Sequence, residues 1–291
     1  MTLLHHRHDG DGWVDCACGQ RHWGVFGSAG LLLVDPERGV LLQHRAHWSH
    51  HGGTWGVPGG ARASSETPLE AALREASEEA DIPPEAVLPS HAWVEDHGTW
   101  SYTTVVATAD RKVRARASDP ESLDIVWTPV GDVSHLPLLP AFGAMWPQLL
   151  DQAFRRLVLV VDAANVVGSR PDGWWRDRAG ATERLRDDLT GLGPVPAAPL
   201  GLPAALWWPS VVLVTEGRAR GVPSADGVRV VEADGSGDDA VVDVVAEALR
   251  DRPGDHVLAV TADRELRARV EAAGGRPVGP SALFELTRPP R

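Results

Sequence analysis

A set of charged residues at fixed spacing between positions 60 and 82 constrains this chain more than any other feature. With the glycine that precedes them, these residues are Gly60, Glu66, Arg74, Glu75, Glu78 and Glu79. Apolar residues recur at helical spacing from Leu69 to Ala80 and stop before Pro83, which predicts one amphipathic helix. Positions i, i+3 and i+4 of a helix share a face, so Glu75, Glu78 and Glu79 should converge.

Three glutamates on one helix face repel one another unless a cation lies between them. Carboxylate oxygens of this kind suit Mg²⁺ or Mn²⁺, so the spacing predicts a site for one of these dications. Beside a pyrophosphate, the dication would neutralise charge and orient or activate a water molecule. A merely solvated helix face would explain the glutamates but not the spaced Gly60, Glu66 and Arg74.

The segment GARASSETPLEAALREASEEADI resembles the Nudix box, G-x5-E-x7-R-E-U-x-E-E-x-G-U, in which U is a bulky aliphatic residue. Every charged position of that motif is present. The departures are Ala76 at one aliphatic position and Asp81 in place of the glycine. Glycine at a helix exit accepts the left-handed conformation more easily than aspartate, so Asp81 is where we expect the local geometry to differ.

The resemblance extends over about residues 25–150, including 55–60 ahead of the box and 121–127 beyond it. It implies a mixed-sheet α/β/α sandwich fold. It also implies that the domain hydrolyses a nucleoside triphosphate or another nucleoside diphosphate-linked substrate. Residues 121–146 look more like the nucleoside triphosphate pyrophosphohydrolase branch of the family than the ADP-ribose branch. The residue roles that the resemblance implies are metal binding for Glu75, Glu78, Glu79 and the Gly60 carbonyl, bracing for Glu66 and Arg74, and catalysis for Glu78, Glu79 and Glu121.

The residues around 44–51 offer a second kind of contact to a nucleotide. Arg45 is suited to pair with phosphate, and Trp48 is suited to stack on a base. The alternative is an ordinary polar loop, and the sequence favours neither.

The other elements of the first half follow from apolar patterning. Residues 30–34 and 40–43 flank a turn and predict a β-hairpin. Further strands are predicted at 91–95, 101–108 and 125–129, and a closing helix at 141–155.

The second half alternates short apolar runs with helical patterns. Strands are predicted at 157–161, 211–215, 228–231 and 257–261, and helices at 182–189, 238–250 and 263–273. This alternation predicts a parallel, Rossmann-like α/β sheet with right-handed crossovers. Residues 191–209 are rich in proline and predict a long loop.

Acidic residues follow the predicted strands or open the predicted helices of the second half. Because the carboxyl ends of parallel strands meet at one edge, these side chains should gather there around a cation. They are Asp162, Asp238, Asp239 and Asp263, with Asn165 beside them. The segments around them resemble the NYN branch of PIN-like nucleases over about residues 157–285, which implies Mg²⁺- or Mn²⁺-dependent cleavage of RNA, with Asn165 orienting the first aspartate or the substrate. Aspartates at such turns also serve as helix caps, which is the competing interpretation.

Cys16 and Cys18 are too close in sequence for an unstrained disulfide, which favours a reducing compartment. With His22, and with His5, His6 or His8 as a fourth ligand, they offer a zinc site, although C-x-C is not a strong zinc spacing.

The sequence therefore predicts three parts: a Cys/His-containing segment 1–24, a Nudix domain 25–155 and a PIN-like NYN domain 156–291. The formal net charge of −12 argues against a broad basic surface for nucleic acid, although local arginine clusters remain available.

No apolar run is long enough to span a membrane, and the N-terminus lacks the pattern of a secretory signal, so a cytoplasmic bacterial protein is expected. The leading hypothesis is a Nudix pyrophosphohydrolase joined to a domain that binds or cleaves RNA. The alternative is a PIN-like endoribonuclease regulated by a nucleotide-sensing Nudix domain.

Overall fold

The structure of the protein is a computed structural model that describes residues 8–109, 113–170 and 173–287. The chain divides into two compact units, Met1–Phe154 and Arg155–Arg291. Each unit is described by itself. None of the helices in the described ranges is long and apolar enough to cross a lipid bilayer.

The described residues of the first unit form strands and two α-helices, one of which carries the glutamates. Its elements in the described residues are β1 (Trp13–Asp15), β2 (Arg21–Trp23), β3 (Ser28–Asp35), β4 (Gly39–Arg45), β5 (Trp55–Gly56), β6 (Gly59–Ala61), α1 (Pro68–Ala80), β7 (Val87–Asp96), β8 (Ser101–Ala109), β9 (Ser122–Thr128) and α2 (Pro140–Gln152).

The main sheet of this unit is mixed, as predicted. Its strands run in the order β7-β8-β3-β4-β5, with β6 also paired to β3 and β9 to β4. Strands β3 and β8 are parallel, whereas β7–β8 and β4–β9 are antiparallel. The predicted hairpin is confirmed by the antiparallel pairing of Val34 with Val40. Leu32 and Leu42 pack with Phe142, Trp146 and Leu149 of α2 into one buried core.

Helix α1 begins and ends at residues that fix its position. Thr67 caps its N-terminus in a reciprocal capping box with Glu70, and Pro68 stands at the first helical position. The helix ends at Asp81, which adopts the left-handed conformation with φ 54°. The expected departure at this residue is therefore absent: aspartate takes the backbone geometry of glycine here, and its carboxylate accepts a 2.8 Å hydrogen bond from Arg116 Nε. Ala76 is buried where the motif has a larger aliphatic residue.

The second unit contains a five-stranded parallel sheet. Its elements in the described residues are β10 (Leu157–Asp162), α3 (Ala163–Gly168), α4 (Arg178–Leu189), β11 (Val195–Pro196), β12 (Leu206–Trp207), β13 (Pro209–Thr215), β14 (Val228–Glu232), α5 (Gly237–Asp251), β15 (His256–Val260), α6 (Arg264–Ala272), β16 (Arg276–Val278) and α7 (Pro280–Leu286). The strand order is β14-β13-β10-β15-β16, and every pairing is parallel. The predicted parallel α/β sheet is confirmed.

Helices cover both faces of this sheet. Val161 and Leu213 face a core shared with α3 and α4, whereas Val160 and Val212 face a core shared with α5 and α6. Strand β10 is central, and its neighbours β13 and β15 lie on opposite sides of it. The carboxyl end of β10 is therefore the place where the direction of chain connection reverses, which is where α/β sheets usually bind ligands.

The long loop predicted at 191–209 is only partly correct. Strands β11 and β12 form a short antiparallel pair within it. Trp207 is fully buried there and packs with Leu157, Leu159 and Leu258. Apolar residues among the prolines therefore pack this segment against the strands of the parallel sheet.

Candidate active site

The carboxylates of α1 line a cavity of about 1150 Å³ in the first unit. Glu75, Glu78 and Glu79 all contribute to its wall, as the helical spacing predicts. Glu121, which directly precedes β9, lines the same cavity, as does Gly60 at β6.

Arg74 connects the acidic groups of this site to one another. Its Nε and Nη2 donate to the two oxygens of Glu66 at 2.7 and 3.1 Å, and Nη2 also donates to the carbonyl of Ala61 at 2.9 Å. Its Nη1 lies 2.8 Å from Glu75 Oε1 and 3.3 Å from Glu78 Oε2. This set of contacts ties α1 to the segment that precedes it, and it raises the pKa of the guanidinium above its ordinary value.

Glu75 and Glu79 are the least exposed carboxylates of α1. Burial, reinforced by the charges of Glu78 and Glu121 and opposed by Arg74, raises the pKa of Glu75 to about 7. Burial also raises the pKa of Glu79, which is 4% exposed, and repulsion from Glu75 adds to this effect. The backbone N–H of Gly59 donates to Glu79 Oε2 at 2.9 Å.

A glycine at position 60 gives the Glu75 carboxylate its space. A Cβ atom at this position would lie 2.5 Å from Glu75 Oε1. Carboxylates crowded at a glycine turn form a hard-oxygen donor set with excess negative charge, and such a set fits Mg²⁺ or Mn²⁺ better than a softer metal ion.

Two polar residues near these carboxylates were missed by the sequence reasoning. Asp119 lines the cavity, and its charge raises the pKa of Glu79 further. Gln43 is fully buried on β4 and bonds the Glu79 carboxylate. A glutamine that directly follows the apolar run of residues 40–42 is a signal that could have found Gln43, whereas Asp119 lies in a loop with no periodic pattern.

The predicted substrate contacts Arg45 and Trp48 both line this cavity. Arg45 Nε donates to the carbonyl of His50 at 3.2 Å, and Trp48 is 58% exposed. Other aromatic rings stand with Trp48 along the cavity: Trp13, Trp23, Trp93, Trp100 and Tyr102. One wall is therefore aromatic while another is acidic.

The structure brings most of the predicted acidic residues of the second unit to one edge of its sheet. Asp162 accepts hydrogen bonds from Thr261 Oγ1 at 3.0 Å and from the Asn165 backbone at 3.1 Å. The Asn165 side chain in turn accepts from the Ala262 backbone at 2.7 Å. Burial raises the pKa of Asp162, and the charge of Asp238 adds to that rise.

Asp238, Asp263 and Glu216 complete this acidic edge. Burial raises the pKa of Asp238, and repulsion from the charge of Asp263 raises this pKa further. Asp263 also caps α6 by accepting from the Leu266 backbone at 2.9 Å, so the capping interpretation holds for this residue. Glu216 directly follows β13 and was missed by the sequence reasoning. Like Asp162, it is an acidic residue at the carboxyl end of a parallel strand, so the same argument places it at this edge.

Asp239 departs from the predicted arrangement. Its carboxylate forms an ion pair with Arg269 at 2.5 Å, and its side chain is 65% exposed. Since successive helical residues point about 100° apart, Asp238 and Asp239 at the start of α5 cannot both face the sheet edge.

The N-terminal residues proposed for zinc come together around an additional histidine. Cys16, Cys18 and His22 lie near His97, which sequence reasoning missed because it is far along the chain. His8 is not part of this group, because its Nε2 lies 3.4 Å from Arg74 Nη2 beside the acidic helix. His5 and His6 lie outside the described residues.

A mixed sheet with a glutamate-rich helix at an aromatic-walled cavity defines the class of this protein. The NUDIX domain model matches residues 26–149. The chain is 46% identical over 153 residues to a Mycobacterium tuberculosis protein named "Putative 8-oxo-dGTP diphosphatase 3", and this match covers 49% of the chain and 70% of that relative. The chain belongs to the Nudix hydrolase family.

Two further relatives each match about half of the chain. A Bifidobacterium longum "Nucleoside triphosphate pyrophosphatase/Nudix hydrolase fusion protein" is 51% identical over 147 residues, which are 48% of this chain and 30% of that protein. The match thus spans less than a third of that relative's length. A crystal structure of a Nudix hydrolase from M. smegmatis, RenU, is 44% identical and covers 49% of this chain and 94% of the other, with a TM-score of 0.45.

Proposed function

We propose that the first unit is a metal-dependent pyrophosphohydrolase that acts on a nucleoside triphosphate or another nucleoside diphosphate-linked substrate. The observation that carries this proposal is the single cavity shared by the α1 carboxylates and exposed tryptophans. The acidic wall suits a metal-bound phosphate chain, and the aromatic wall suits a base. The names of the Bifidobacterium and M. tuberculosis relatives point to the same substrate class.

In this reaction a water oxygen attacks a phosphorus of the substrate, and the bond from that phosphorus to a bridging oxygen breaks. A nucleoside monophosphate leaves with pyrophosphate or another leaving group. Mg²⁺ or Mn²⁺, held by Glu75, Glu78, Glu79 and the Gly60 carbonyl, would supply positive charge against the phosphate oxygens.

The protein's own side chains perform the remaining steps. Glu78, Glu79 and Glu121 are our candidates for the carboxylate that accepts the proton of the attacking water. Glu66 and Arg74 hold α1 in place through their paired hydrogen bonds. Arg45 pairs with a phosphate, and Trp48 stacks on the base, which orients the phosphate chain toward the glutamates.

The test is product analysis by chromatography after incubation with a panel of nucleotides. The panel contains ordinary and oxidised triphosphates, NADH and ADP-ribose, each with Mg²⁺ or Mn²⁺. We expect a triphosphate to be converted to its monophosphate, and Glu78→Gln to lower kcat by about 10²- to 10⁴-fold.

The matched control is Glu37→Gln, which removes an exposed carboxylate from the β3–β4 turn and should leave turnover unchanged. If the wild-type protein converts no nucleotide with either metal, the proposal is wrong. Equal turnover by wild type and Glu78→Gln would remove Glu78 from the mechanism.

We propose as a second candidate that the other unit is a PIN-like NYN domain that binds or cleaves RNA with a divalent cation. The observation that favours it is the gathering of Asp162, Asp238, Asp263 and Glu216 at the carboxyl edge of a parallel sheet. In this alternative, the protein is an endoribonuclease and the Nudix unit senses the nucleotide that regulates it.

Incubation of the full-length chain with single-stranded RNA tests the second candidate. Asp162→Asn combined with Asp238→Asn should abolish cleavage, whereas Asp251→Asn, at the exposed end of α5, should not. Dependence of the cleavage rate on added nucleotide would support the regulatory version. Binding without cleavage, unchanged in the double variant, would leave this unit as an RNA- or partner-binding module.

A further inference from the structure

The N-terminal hairpin of β1 and β2 is too small to be stable through its own contacts. Each strand has three residues, and most of their side chains are at least partly exposed. An isolated two-stranded hairpin is marginal in water, so this one needs an anchor elsewhere in the unit. The turn that joins β1 to β2 carries Cys16 and Cys18.

Four potential metal ligands meet at this turn. One atom from each of Cys16, Cys18, His22 and His97 lies within 4.8 Å of the other three. Cys18 Sγ is 3.2 Å from His22 Nε2. Zinc–sulfur and zinc–nitrogen bonds of about 2.3 and 2.0 Å place tetrahedral ligands roughly 3.3–3.8 Å apart, so small shifts would complete the geometry.

His97 presents a nitrogen that is prepared for a metal ion. Its Nε2 lies 2.9 Å from Glu95 Oε1, so this nitrogen carries the proton that the carboxylate accepts. Its Nδ1 is buried and makes no hydrogen bond of ordinary geometry among the described residues, while the ring interacts with the Cys18 side chain. A histidine that donates one N–H to a carboxylate and directs the other nitrogen to a metal is the usual arrangement in zinc sites.

The surroundings of Cys16 also suit a metal-bound thiolate. Thr99 Oγ1 donates to Cys16 Sγ at 3.2 Å, and the Gly19 backbone N–H donates to the Cys16 carbonyl at 2.9 Å. This tight turn brings the two sulfur atoms onto the same side as His22. Both cysteines are free thiols, so no disulfide competes for them.

We propose that Cys16, Cys18, His22 and His97 bind one zinc ion that fastens the β1–β2 hairpin to the β7–β8 turn. Two thiolates with two imidazoles form a closed tetrahedral set, which is typical of structural zinc. No ligand position remains for a substrate. The ion is therefore distinct from the Mg²⁺ or Mn²⁺ proposed at α1.

This zinc site would fix one wall of the substrate cavity. Trp13 and Trp23 of the hairpin and Trp100 of the β7–β8 turn line that cavity. The His22 ring stacks on Trp100, with centroids 4.1 Å apart and an interplanar angle of 9°. A ligand of the metal thus contacts the aromatic wall directly.

The experiment is elemental analysis by mass spectrometry of full-length, tag-free protein produced with zinc and purified without chelators. We expect about one zinc per chain, and a loss of at least about tenfold in Cys18→Ser and His97→Gln. The matched controls are His135→Gln, on an exposed segment, and His8→Gln, which tests the other histidine near the N-terminus. Both controls should keep the zinc content of wild type.

Cobalt replacement of the wild-type metal covers the case in which these variants do not fold. Removal of zinc with a chelator and addition of Co²⁺ should produce the visible absorption of tetrahedral cobalt with thiolate ligands. Zinc-free wild-type protein that also gives no such spectrum would overturn the proposal. Loss of zinc in His8→Gln but not in His97→Gln would overturn the assignment of His97. All of these measurements are independent of nucleotide hydrolysis.

Discussion

The two units hold their acidic groups in different ways. In the first unit, three carboxylates come from helix α1, and the Arg74 guanidinium connects two of them, Glu75 and Glu78, to Glu66 ahead of the helix. In the second unit, the acids come from separate strand ends and helix starts, and hydroxyl and backbone groups donate hydrogen bonds to them. Asp162 accepts from Thr261, and Asp263 accepts from the Leu266 backbone.

This difference determines how strongly each carboxylate depends on the other charged groups of its site. A helix with a central arginine makes each carboxylate rely on the others, because removal of the cation leaves buried negative charge unpaired. Strand ends and helix starts at a sheet edge are positioned by the strands behind them, so one carboxylate can change with little effect on the rest. We expect the first site to fail as a group and the second to change residue by residue.

The largest expected effect is that of Arg74→Ala. This change leaves Glu75, whose side chain is 13% exposed, without its cation, and the free energy of unfolding should fall by about 3 kcal/mol. The comparison is Arg116→Ala, which removes an exposed ion pair with Asp81 and should cost less than about 1 kcal/mol. Urea unfolding in the absence of metal measures both. Equal losses would show that Arg74 does not organise the site.

Gly60→Ala should reduce activity more than stability. The added Cβ would meet Glu75 Oε1 and displace that carboxylate, and misplacement of a reacting group by about 1 Å costs about 100-fold in rate. Gly131→Ala is the control, because a Cβ there meets nothing within 4 Å. Steady-state kcat measured on the nucleotide substrate distinguishes them. If Gly60→Ala kept the turnover of wild type, the close contact between position 60 and the Glu75 carboxylate would not matter for catalysis.

The pH dependence of stability should differ between metal-free and metal-bound protein. The pKa of Glu75 rises from 4.5 to about 7 on folding, so its favourable contribution is complete below 4.5 and is lost as pH rises through about 7. The free energy of unfolding of the metal-free protein should therefore fall by about 3 kcal/mol between these pH values relative to Glu75→Gln. Thermal unfolding at a series of pH values measures this. Mg²⁺ should abolish most of the loss, and a flat wild-type profile would contradict the prediction.

Asp162→Asn gives the smallest expected change. The amide oxygen can still accept from the Asn165 backbone, and the Thr261 hydroxyl can rotate to accept from the amide NH2, so the free energy of unfolding should change by less than about 1 kcal/mol. Asp162→Ala removes the helix cap as well and should cost about 1 kcal/mol. Chemical unfolding compares the two variants. A loss in Asp162→Asn as large as that in Arg74→Ala would remove the contrast between the units.

The sequence predicted best what depends on residues close together in the chain. The helix expected to begin near Leu69 runs from Pro68 to Ala80, and its glutamates share one cavity. Helical spacing alone determines which of its side chains converge. The mixed sheet followed from resemblance, whereas the parallel sheet of the second unit followed from the alternation of apolar runs and helices.

Contacts between distant residues were the part that could not be predicted. His97 and Asp119 reach their sites through the pairing of strands, which no local pattern encodes. Helix α3 and strand β16 are short enough that too few residues carry a periodic signal. Asp239 opens a helix together with Asp238, which predicts both at the acidic edge, yet the helical twist directs Asp239 to Arg269 instead.

The tryptophans along the first cavity make the protein its own optical reporter. Five of the 12 tryptophans in the chain line this cavity, and Trp48 is among the most exposed. A purine base that stacks on an indole ring changes its fluorescence, so the emission of the unlabelled protein should respond to each nucleotide that enters. Trp207, buried in the other unit, supplies a constant background against which that change is read.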